Sequence, residues 1–466
     1  MGKILFVQRA PVLNIGTMML SAVLKMAGHE SEVTIANRGK RLAGRIAARG
    51  ADLVGFHCVA GSERWIAGVL GGLSRRPPVV LGGPHPTFVP ELISGLPADY
   101  LIRGEGEGAL ADLMGLLREP QSVRTAVPNL CTLENGNLRV NPLRPLIDPL
   151  DSLPFQDPAL YFRMPFMRRF ASEYYPTITS RGCPFNCTFC FNDRFRELYR
   201  VKGRQVRRRS PGHVAEEIER AKRDYGITRI VFEDDAFGAD ARWLEEFAEA
   251  HLRGAALPFT CQTTASLLNE KTAPLLARMK CRAVRFGIET ADERNRREIL
   301  GKNVTNRDIV RAAGLLRKSG IMLQTYNMLG APGEGVPHAM ETLRLNRAIR
   351  SDFAWSSFFH PYPGTRIYEK HCAAGGVPPP VKKHDSFFVP DTPVRRNRRL
   401  VNLGFLFQAA TATRAPDALV GFLAALPLTA LYKFVFKVFY ALALRKINCF
   451  SLPVFLNISV RSARNF

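Results

Sequence analysis

The sequence predicts an α/β protein with a doubly wound N-terminal domain, a partial (β/α)6 barrel and a helical C-terminal region. Two observations support this fold class. Short apolar runs alternate with helix-like stretches early in the chain, and the alternation resumes with six strands after a proline-rich segment. A chain of 466 residues is long enough for two or three domains. We expect domains at residues 1–125, 173–370 and 371–466, with a linker at 126–172.

The first 125 residues are typical of a Rossmann-like domain. Strands that alternate with helices form parallel, doubly wound sheets. Such sheets bind ligands beyond the carboxyl ends of their strands. The predicted strands are Ile4–Val7, Ser31–Ile35, Ala51–Phe56, Pro78–Leu81 and Tyr100–Ile102.

Residues 126–172 are rich in proline and turn-forming residues, with five prolines between positions 142 and 158. The run Asp151-Ser152-Leu153-Pro154 is typical of a segment that wraps between domains.

From residue 173 the strands recur with helices between them, an order that fits a partial TIM barrel whose site lies at the carboxyl ends of its strands. The predicted strands are Thr177–Thr179, Arg229–Phe232, Phe259–Thr263, Ala283–Gly287, Met322–Met328 and Phe353–Phe359.

Three cysteines directly after the first barrel strand are the most specific chemical feature. Cys183, Cys187 and Cys190 lie in the run Ser-Arg-Gly-Cys-Pro-Phe-Asn-Cys-Thr-Phe-Cys-Phe. Three thiolates on one tight loop suit a cluster with one open metal position, whereas ferredoxin clusters and structural zinc sites take four protein ligands. The alternatives are incidental cysteines or half of a zinc site.

This loop resembles that of the radical S-adenosylmethionine (radical SAM) superfamily. The resemblance implies a 4Fe–4S cluster whose open iron binds SAM, and one-electron cleavage of SAM to a 5′-deoxyadenosyl radical. It also implies cofactor-binding roles for residues at the following strand ends and in the cysteine loop. These residues are Phe189, Glu233, Asp234, Glu289, Gly330 and Pro332. Tyr326 and Tyr362 are candidates to reach the substrate, with core or rim packing as the alternative.

Two N-terminal loops resemble the cobalamin-binding domain of one large radical SAM branch. Leu81-Gly82-Gly83-Pro84-His85-Pro86-Thr87 follows a strand, and Arg103-Gly104-Glu105-Gly106-Glu107 opens a helix. The resemblance implies that Gly82, Gly83 and Thr87 contact cobalamin. We interpret His85 as a structural loop residue.

One position departs from that branch. Aligning Gly16 with the Asp-x-His-x-x-Gly motif puts Leu13 where the cobalt-ligating histidine stands. Either cobalamin binds without a histidine ligand or the domain is an empty scaffold. His57 is a possible local substitute, although a role in lining the pocket fits it better.

Composition bears on location and partners. Nine cysteines in so long a chain are too few for a disulfide scaffold, and the opening Lys3–Val7 reads as a strand rather than a signal peptide. We therefore expect a cytoplasmic protein. The net charge of +24 could attract nucleic acid, anionic lipid or an acidic substrate, or reflect arginine on solvated faces.

The segment 415–450 is apolar but interrupted. Ala418–Tyr432 is shorter than the roughly 20 residues of a membrane-spanning helix. Lys433 and Lys437 then share one helical face. This pattern predicts either an amphipathic helix on a membrane surface, which would make the protein peripheral to the membrane, or a helix packed on the barrel.

Three functions follow from these features. The first is a cobalamin-dependent methyltransferase that acts on an unactivated carbon of a small molecule, such as a secondary metabolite or lipid-like substrate, with a reducing donor such as flavodoxin or ferredoxin. The second is a radical SAM dehydratase, epimerase or cyclase whose cobalamin-like domain is empty. The third is an RNA-modifying enzyme, which the lack of a recognisable RNA-binding module disfavours.

Overall fold

The computed structural model describes residues 1–35, 39–73, 76–373, 393–448 and 450–455. Parts of the predicted C-terminal region, residues 374–392 and 456–466 together with Cys449, lie outside the described residues.

The N-terminal sheet has the strand order β2-β1-β3-β4-β5-β6-β7, and its first five strands are parallel. This order confirms the doubly wound fold and places a topological switch point between β1 and β3, where such folds bind ligands. The strands are β1 (Lys3–Gln8), β2 (Glu30–Ile35), β3 (Leu53–His57), β4 (Val79–Gly82), β5 (Tyr100–Ile102), β6 (Leu130–Glu134) and β7 (Asn137–Val140). The helices are α1 (Ile15–Met26), α2 (Gly39–Ala47), α3 (Glu63–Leu70), α4 (Pro84–Phe88), α5 (Glu107–Gly115) and α6 (Gln121–Arg124).

The predicted linker holds more structure than its prolines indicate. β6 and β7 form an antiparallel hairpin that extends the first sheet. Its turn is Asn135-Gly136, where φ is 51° and 79°, the positive values that Asn-Gly hairpin turns favour. Beyond the hairpin, α7 (Ala159–Phe162) and α8 (Pro165–Glu173) contribute to one hydrophobic core shared with both sheets. Residues 126–172 therefore join the two domains as a packed layer.

The second sheet has the order β15-β14-β13-β12-β11-β8, and every pairing in it is parallel. Neighbouring strands follow one another along the chain, as the predicted partial barrel requires. Its strands are β8 (Tyr175–Thr177), β11 (Ile230–Phe232), β12 (Phe259–Gln262), β13 (Cys281–Glu289), β14 (Met322–Leu329) and β15 (Phe353–Phe358), and a separate pair is β9 (Ser180–Arg181) and β10 (Arg207–Arg208). The helices are α9 (Phe191–Leu198), α10 (Pro211–Tyr225), α11 (Ala241–Arg253), α12 (Thr272–Arg278), α13 (Glu293–Glu298), α14 (Asn306–Lys318), α15 (Val336–Ala348) and α16 (Arg366–Ala373).

The C-terminal region is helical, as predicted, with α17 (Arg398–Thr413), α18 (Asp417–Ala425) and α19 (Thr429–Asn448). α17 packs on β15 and α15, and α18 and α19 pack on α17. α19 also contacts β13 and β15, where the Tyr440 and Trp355 rings lie 5.0 Å apart. The predicted packing on the barrel is therefore present. Among the helices of the described segments, none combines the length and apolar character that crossing a membrane requires.

Candidate functional site

A cavity of about 500 Å³ lies between the carboxyl ends of the two parallel sheets. Gly82, Gly83 and other N-terminal residues form one wall. Gly182 and Asp235, which belong to the barrel, form part of the opposite wall. We call this space the interdomain cavity. Both sheets therefore direct their ligand-binding edges at the same space.

The cysteine loop joins β9 to α9 and is fixed at both ends. Gly182 has a φ of 88°, and a side chain there would overlap the carbonyl oxygen of Gln205, so the turn requires glycine. Further along, Thr188 donates hydrogen bonds from its N–H to the Leu300 carbonyl (3.0 Å) and from its hydroxyl to the Ile299 carbonyl (2.7 Å). The loop is thus held between the β9–β10 pair and the segment after α13.

The cysteines form a donor set that fits an iron–sulfur cluster. All three thiols are partly buried, and burial raises the pKa of the Cys183 thiol to about 11 and that of the Cys187 thiol to about 12. Iron would displace these protons, because a coordinated thiol is deprotonated. Within the described segments no three His, Cys, Asp or Glu side chains converge closely enough to hold one metal ion. A cluster needs no such convergence, since each cysteine binds a different iron.

The three acids after β11 point in two directions. Glu233 and Asp235 line the interdomain cavity. Asp234 is 1% exposed and accepts hydrogen bonds from the Thr179 N–H and hydroxyl and from the Ser180 hydroxyl. It therefore ties the β11 end to the strand before the cysteines, and its cofactor-binding role stays a prediction. Asp235, absent from the predicted set, takes the cavity position.

Glu289 lies beside the cysteine loop in a strained conformation. Its φ is 65°, which is uncommon for a residue other than glycine. The Lys302 ammonium donates to the Glu289 carboxylate (2.8 Å) and to the Gly287 carbonyl (2.7 Å). The carboxylate is thus balanced by a cation and can still accept hydrogen bonds from hydroxyl or ammonium groups.

Arg296 is a residue that sequence reasoning missed. Its fully buried guanidinium donates to the carbonyls of Ile288 (3.0 Å), Thr290 and Val304 (2.7 Å). These bonds join the end of β13, which carries Glu289, to the segment after α13. Sequence alone carries no signal that separates this arginine from the exposed ones near it.

Two of the predicted cofactor-binding residues, Phe189 and Gly330, also have packing roles. Phe189 packs in an apolar cluster that includes Ala331, the residue after Gly330. Gly330 has a φ of 79°, and a side chain there would approach Val394 to 2.6 Å. Pro332 is exposed beside it. Gly330 is therefore needed for close packing of the C-terminal region, whatever it contributes to a ligand.

The two tyrosine candidates differ in surroundings. Tyr326 is next to Arg285, which forms a 3.2 Å ion pair with the cavity residue Glu233, and burial raises the pKa of the Tyr326 phenol. Tyr362 packs on the His360 ring at 4.9 Å. The structure therefore links Tyr326 to a charged group at the cavity.

The loop after β4 forms a cradle on the N-terminal wall. A side chain on Gly82 would meet no atom within 4 Å, so it would project into the open space. Gly83 has a φ of 116°, and a side chain there would come within 2.8 Å of the Cys58 carbonyl. Thr87 instead ties loops together, donating to the Gly83 carbonyl (2.8 Å) and accepting from the Gly104 N–H (3.0 Å).

Leu13, the residue predicted to stand in place of the cobalt-ligating histidine, is buried. Leu13 is 6% exposed and belongs to the hydrophobic core. Asn14 and His57 line the cavity instead. His85, as expected of a structural residue, pairs with Glu63 at 2.7 Å. The glycine cradle fits a large flat ligand such as a corrin, without a histidine at position 13.

The fold and the site define an iron–sulfur protein of the radical SAM type, joined to a domain with a ligand cradle of its own. Two family models agree: residues 4–114 match the B12 binding domain and residues 177–345 match the radical SAM superfamily. The chain thus contains a B12-binding domain followed by a radical SAM domain.

Similar proteins were found by sequence and by structure. The chain is 33% identical over 298 residues to an uncharacterised methyltransferase of Pyrococcus horikoshii, covering 62% of each chain. It is 26% identical to the anaerobic magnesium-protoporphyrin IX monomethyl ester cyclase of Rubrivivax gelatinosus, over 62% of this chain and 52% of the relative. The matches thus span less than two thirds of these relatives. The radical SAM methyltransferase TsrM of Kitasatospora setae, solved with cobalamin and a [4Fe-4S] cluster, has the same fold, with a TM-score of 0.62 at 20% identity over 80% of this chain and 75% of that one.

Proposed function

We propose that this protein is a cobalamin-dependent radical SAM methyltransferase that acts on an unactivated carbon of a secondary metabolite or lipid-like small molecule. One observation carries the proposal: Gly82 and Gly83 of the glycine cradle line the same cavity as Gly182, the residue directly before Cys183. Cofactors on the two walls would face each other across the space that a substrate enters. When bound, the cluster supplies an electron to SAM and cobalamin carries the methyl group.

The chain's own residues then bind and orient. Cys183, Cys187 and Cys190 would hold the cluster, while Asp235 and Glu289 present carboxylates beside it for the ammonium and hydroxyl groups of SAM. The Glu289–Lys302 pair fixes that carboxylate before any ligand arrives. Such preorganisation lowers the cost of ordering a ligand.

The alternative is a radical SAM dehydratase, epimerase or cyclase with an empty N-terminal domain. Leu13 in place of a cobalt-ligating histidine favours this alternative, and a relative named as a cyclase is consistent with it.

Product analysis separates the two functions. Protein reconstituted with iron, sulfide and hydroxocobalamin under anaerobic conditions should retain both groups, as shown by its absorption spectrum and metal content. Reduced protein supplied with SAM should then form S-adenosylhomocysteine as well as 5′-deoxyadenosine. Formation of 5′-deoxyadenosine alone, by protein that retains no cobalamin, would select the alternative. The Cys187→Ala variant is the control and should form neither product.

We further propose an acidic electron donor such as flavodoxin or ferredoxin. Arg200 and Arg204 are exposed on the segment after α9, the helix that follows the cysteine loop. Basic surface of this kind attracts acidic partners and makes their association depend on salt. Cleavage of SAM driven by flavodoxin should slow as salt increases, whereas cleavage driven by titanium citrate should not. Equal salt dependence for both reductants would contradict this donor interaction.

An exposed apolar surface on α18 and α19 supports a peripheral membrane location for a cytoplasmic protein. We call it the apolar C-terminal face, and its large side chains are Leu419, Phe422, Leu428, Leu431, Phe434, Val438 and Leu442. Basic residues of α19, including Lys437 and Arg445, are exposed as well. Apolar side chains with flanking cations suit an anionic lipid surface. The opposite side of α19 packs on Trp355 of the barrel, so the apolar C-terminal face is directed away from it.

Vesicle sedimentation tests this location. The full-length protein should sediment with vesicles containing phosphatidylglycerol, and the double variant Phe422→Asp/Phe434→Asp should lose at least about tenfold in binding, because each aspartate opposes insertion. Val310→Asp, at a similarly exposed apolar position on α14, is the matched control. Equal soluble fractions for the wild-type protein with and without vesicles would contradict membrane binding.

A further inference from the structure

Two charged sequence features meet at the boundary between the domains. The acidic loop after β5 contributes Glu105 and Glu107, and the β9–β10 pair contributes Arg181 and Arg207. Arg181 donates to the Glu105 carboxylate at 2.8 Å and to the Glu107 carboxylate at 2.5 Å. Arg207 donates to both Glu105 oxygens, at 2.9 and 3.1 Å. We call these four residues the interdomain charge joint.

The joint is buried and balanced. The Arg207 side chain is fully buried, and those of Glu105 and Glu107 are about one-tenth exposed. Burial alone would raise the pKa of the Glu105 carboxyl, but the guanidinium groups of Arg181 and Arg207 outweigh burial and hold that pKa below its ordinary value. Two carboxylates therefore neutralise two guanidiniums, as buried ions require.

The joint also forms hydrogen bonds with the segment that connects the two domains. The Ile147 N–H, in the connecting segment, donates to Glu105 at 2.8 Å, and Arg207 donates to the Ile147 carbonyl at 2.6 Å. Beside it, Gly104 approaches Tyr199 so closely that a side chain at 104 would overlap the Tyr199 hydroxyl. Glu105 thus contacts the barrel and the connecting segment from its position in the N-terminal domain.

The position of the joint relates it to the site. Arg181 lies two residues before Cys183, and Glu105 follows the carboxyl end of β5. All four residues of the joint line the interdomain cavity. A displacement at Glu105 would therefore shift the cysteine loop relative to the glycine cradle.

We propose that Glu105 is a positioning residue that sets the separation between the cysteine loop and the cobalamin-binding wall. The relevance of this separation to methyl transfer rests on the proposed function, whereas the docking of the two domains does not. An ion pair suits this role because it has fixed directions, unlike apolar packing.

Hydrogen exchange in the cofactor-free protein tests the proposal directly. Glu105→Gln keeps the shape of the side chain but removes its charge. We expect about tenfold faster exchange in peptides covering 140–150, which include the Ile147 reporter, and 178–186, in line with the loss of a coupled buried pair. Glu105→Asp retains the charge and should recover part of the protection. Glu32→Gln removes a carboxylate that also binds two cations, Lys3 and Arg49, but at the surface of the N-terminal domain, and it should change neither peptide.

A spectroscopic readout reports the separation itself. In protein loaded with cob(II)alamin and a reduced cluster, pulsed electron paramagnetic resonance should give a broader distribution of metal–metal distances for Glu105→Gln than for wild-type protein at equal iron content. Wild-type exchange rates in Glu105→Gln, or an unchanged distance distribution, would overturn the proposal.

A second variant covers the case in which Glu105→Gln does not fold. Glu107→Gln removes one partner of Arg181 and leaves the Glu105–Arg207 bonds in place. It should accelerate exchange in 178–186 more than in 140–150, and protection equal to wild type in both peptides would overturn the proposal. Because exchange is measured without cofactors, a failure of methyl transfer leaves this result intact.

Discussion

Replacing Gly82 by phenylalanine should weaken cobalamin binding without loss of the fold or of the iron–sulfur cluster. Gly82 lies at the end of β4 in the wall of the interdomain cavity, and a side chain there would meet no atom within 4 Å. Its φ is not positive, so phenylalanine adds no backbone strain. The new ring would occupy the cradle that the glycine keeps open.

The substitution should raise the stability of the cofactor-free protein and lower its affinity for cobalamin. Glycine within a strand costs about 0.5–1 kcal/mol relative to alanine, so the cofactor-free variant should be more stable, with Tm higher by about one degree at this chain length. A flat ligand displaced from the cradle should lose at least about 100-fold in affinity, or about 2.8 kcal/mol. No general destabilisation produces both results.

Equilibrium dialysis with hydroxocobalamin gives the affinity, and calorimetry of the cofactor-free protein gives Tm. Iron content and formation of 5′-deoxyadenosine should match the wild type, since the cysteine loop lies on the other wall. Gly95→Phe is the control, because Gly95 also has open space but does not line the cavity. Cobalamin binding to Gly82→Phe with wild-type affinity would refute the assignment of the cradle.

Three other predictions concern the site and the joint. Gly182→Ala should lower iron content by more than half with all three cysteines intact, because its side chain would overlap a backbone carbonyl, whereas Gly212→Ala, which has open space, should not. Asp235→Asn should weaken SAM binding by about tenfold or more, the cost of a lost charge-assisted hydrogen bond, with iron content unchanged, as equilibrium dialysis would show. The lowered pKa of Glu105 means that its stabilisation is complete above the ordinary glutamate pKa of about 4.3 and declines as pH falls through the lower folded value. In cofactor-free protein, acidification through this range should therefore reduce the protection of the Ile147 amide, measured as its exchange rate relative to the intrinsic rate at the same pH, in the wild type but much less in Glu105→Gln.

The sequence predicted the features that depend on residues close together along the chain. The alternation of strands and helices predicted both sheets, and the spacing of the cysteines predicted their shared loop. The Asn135-Gly136 hairpin carried a recognisable turn signal, but the surrounding prolines favoured a linker.

Other features depend on contacts between distant parts of the chain. Glu105 and Arg207 are 102 residues apart, and neither has a local pattern that marks it as buried. Arg296 resembles its exposed neighbours in sequence, yet its guanidinium is fully buried among backbone carbonyls. Such partners are determined by how the two sheets pack, which no periodicity along the chain specifies.

The walls of the interdomain cavity come from two domains, and this has a thermodynamic consequence. A ligand that contacts both walls binds the protein only when its two domains are docked. Its binding free energy therefore also stabilises the docked arrangement relative to the separated one. At a concentration of 100 times Kd that linkage amounts to about 2.7 kcal/mol. Ligand binding and domain docking are then thermodynamically linked. Conditions that separate the domains release the ligand, and bound ligand lowers the fraction of molecules with separated domains.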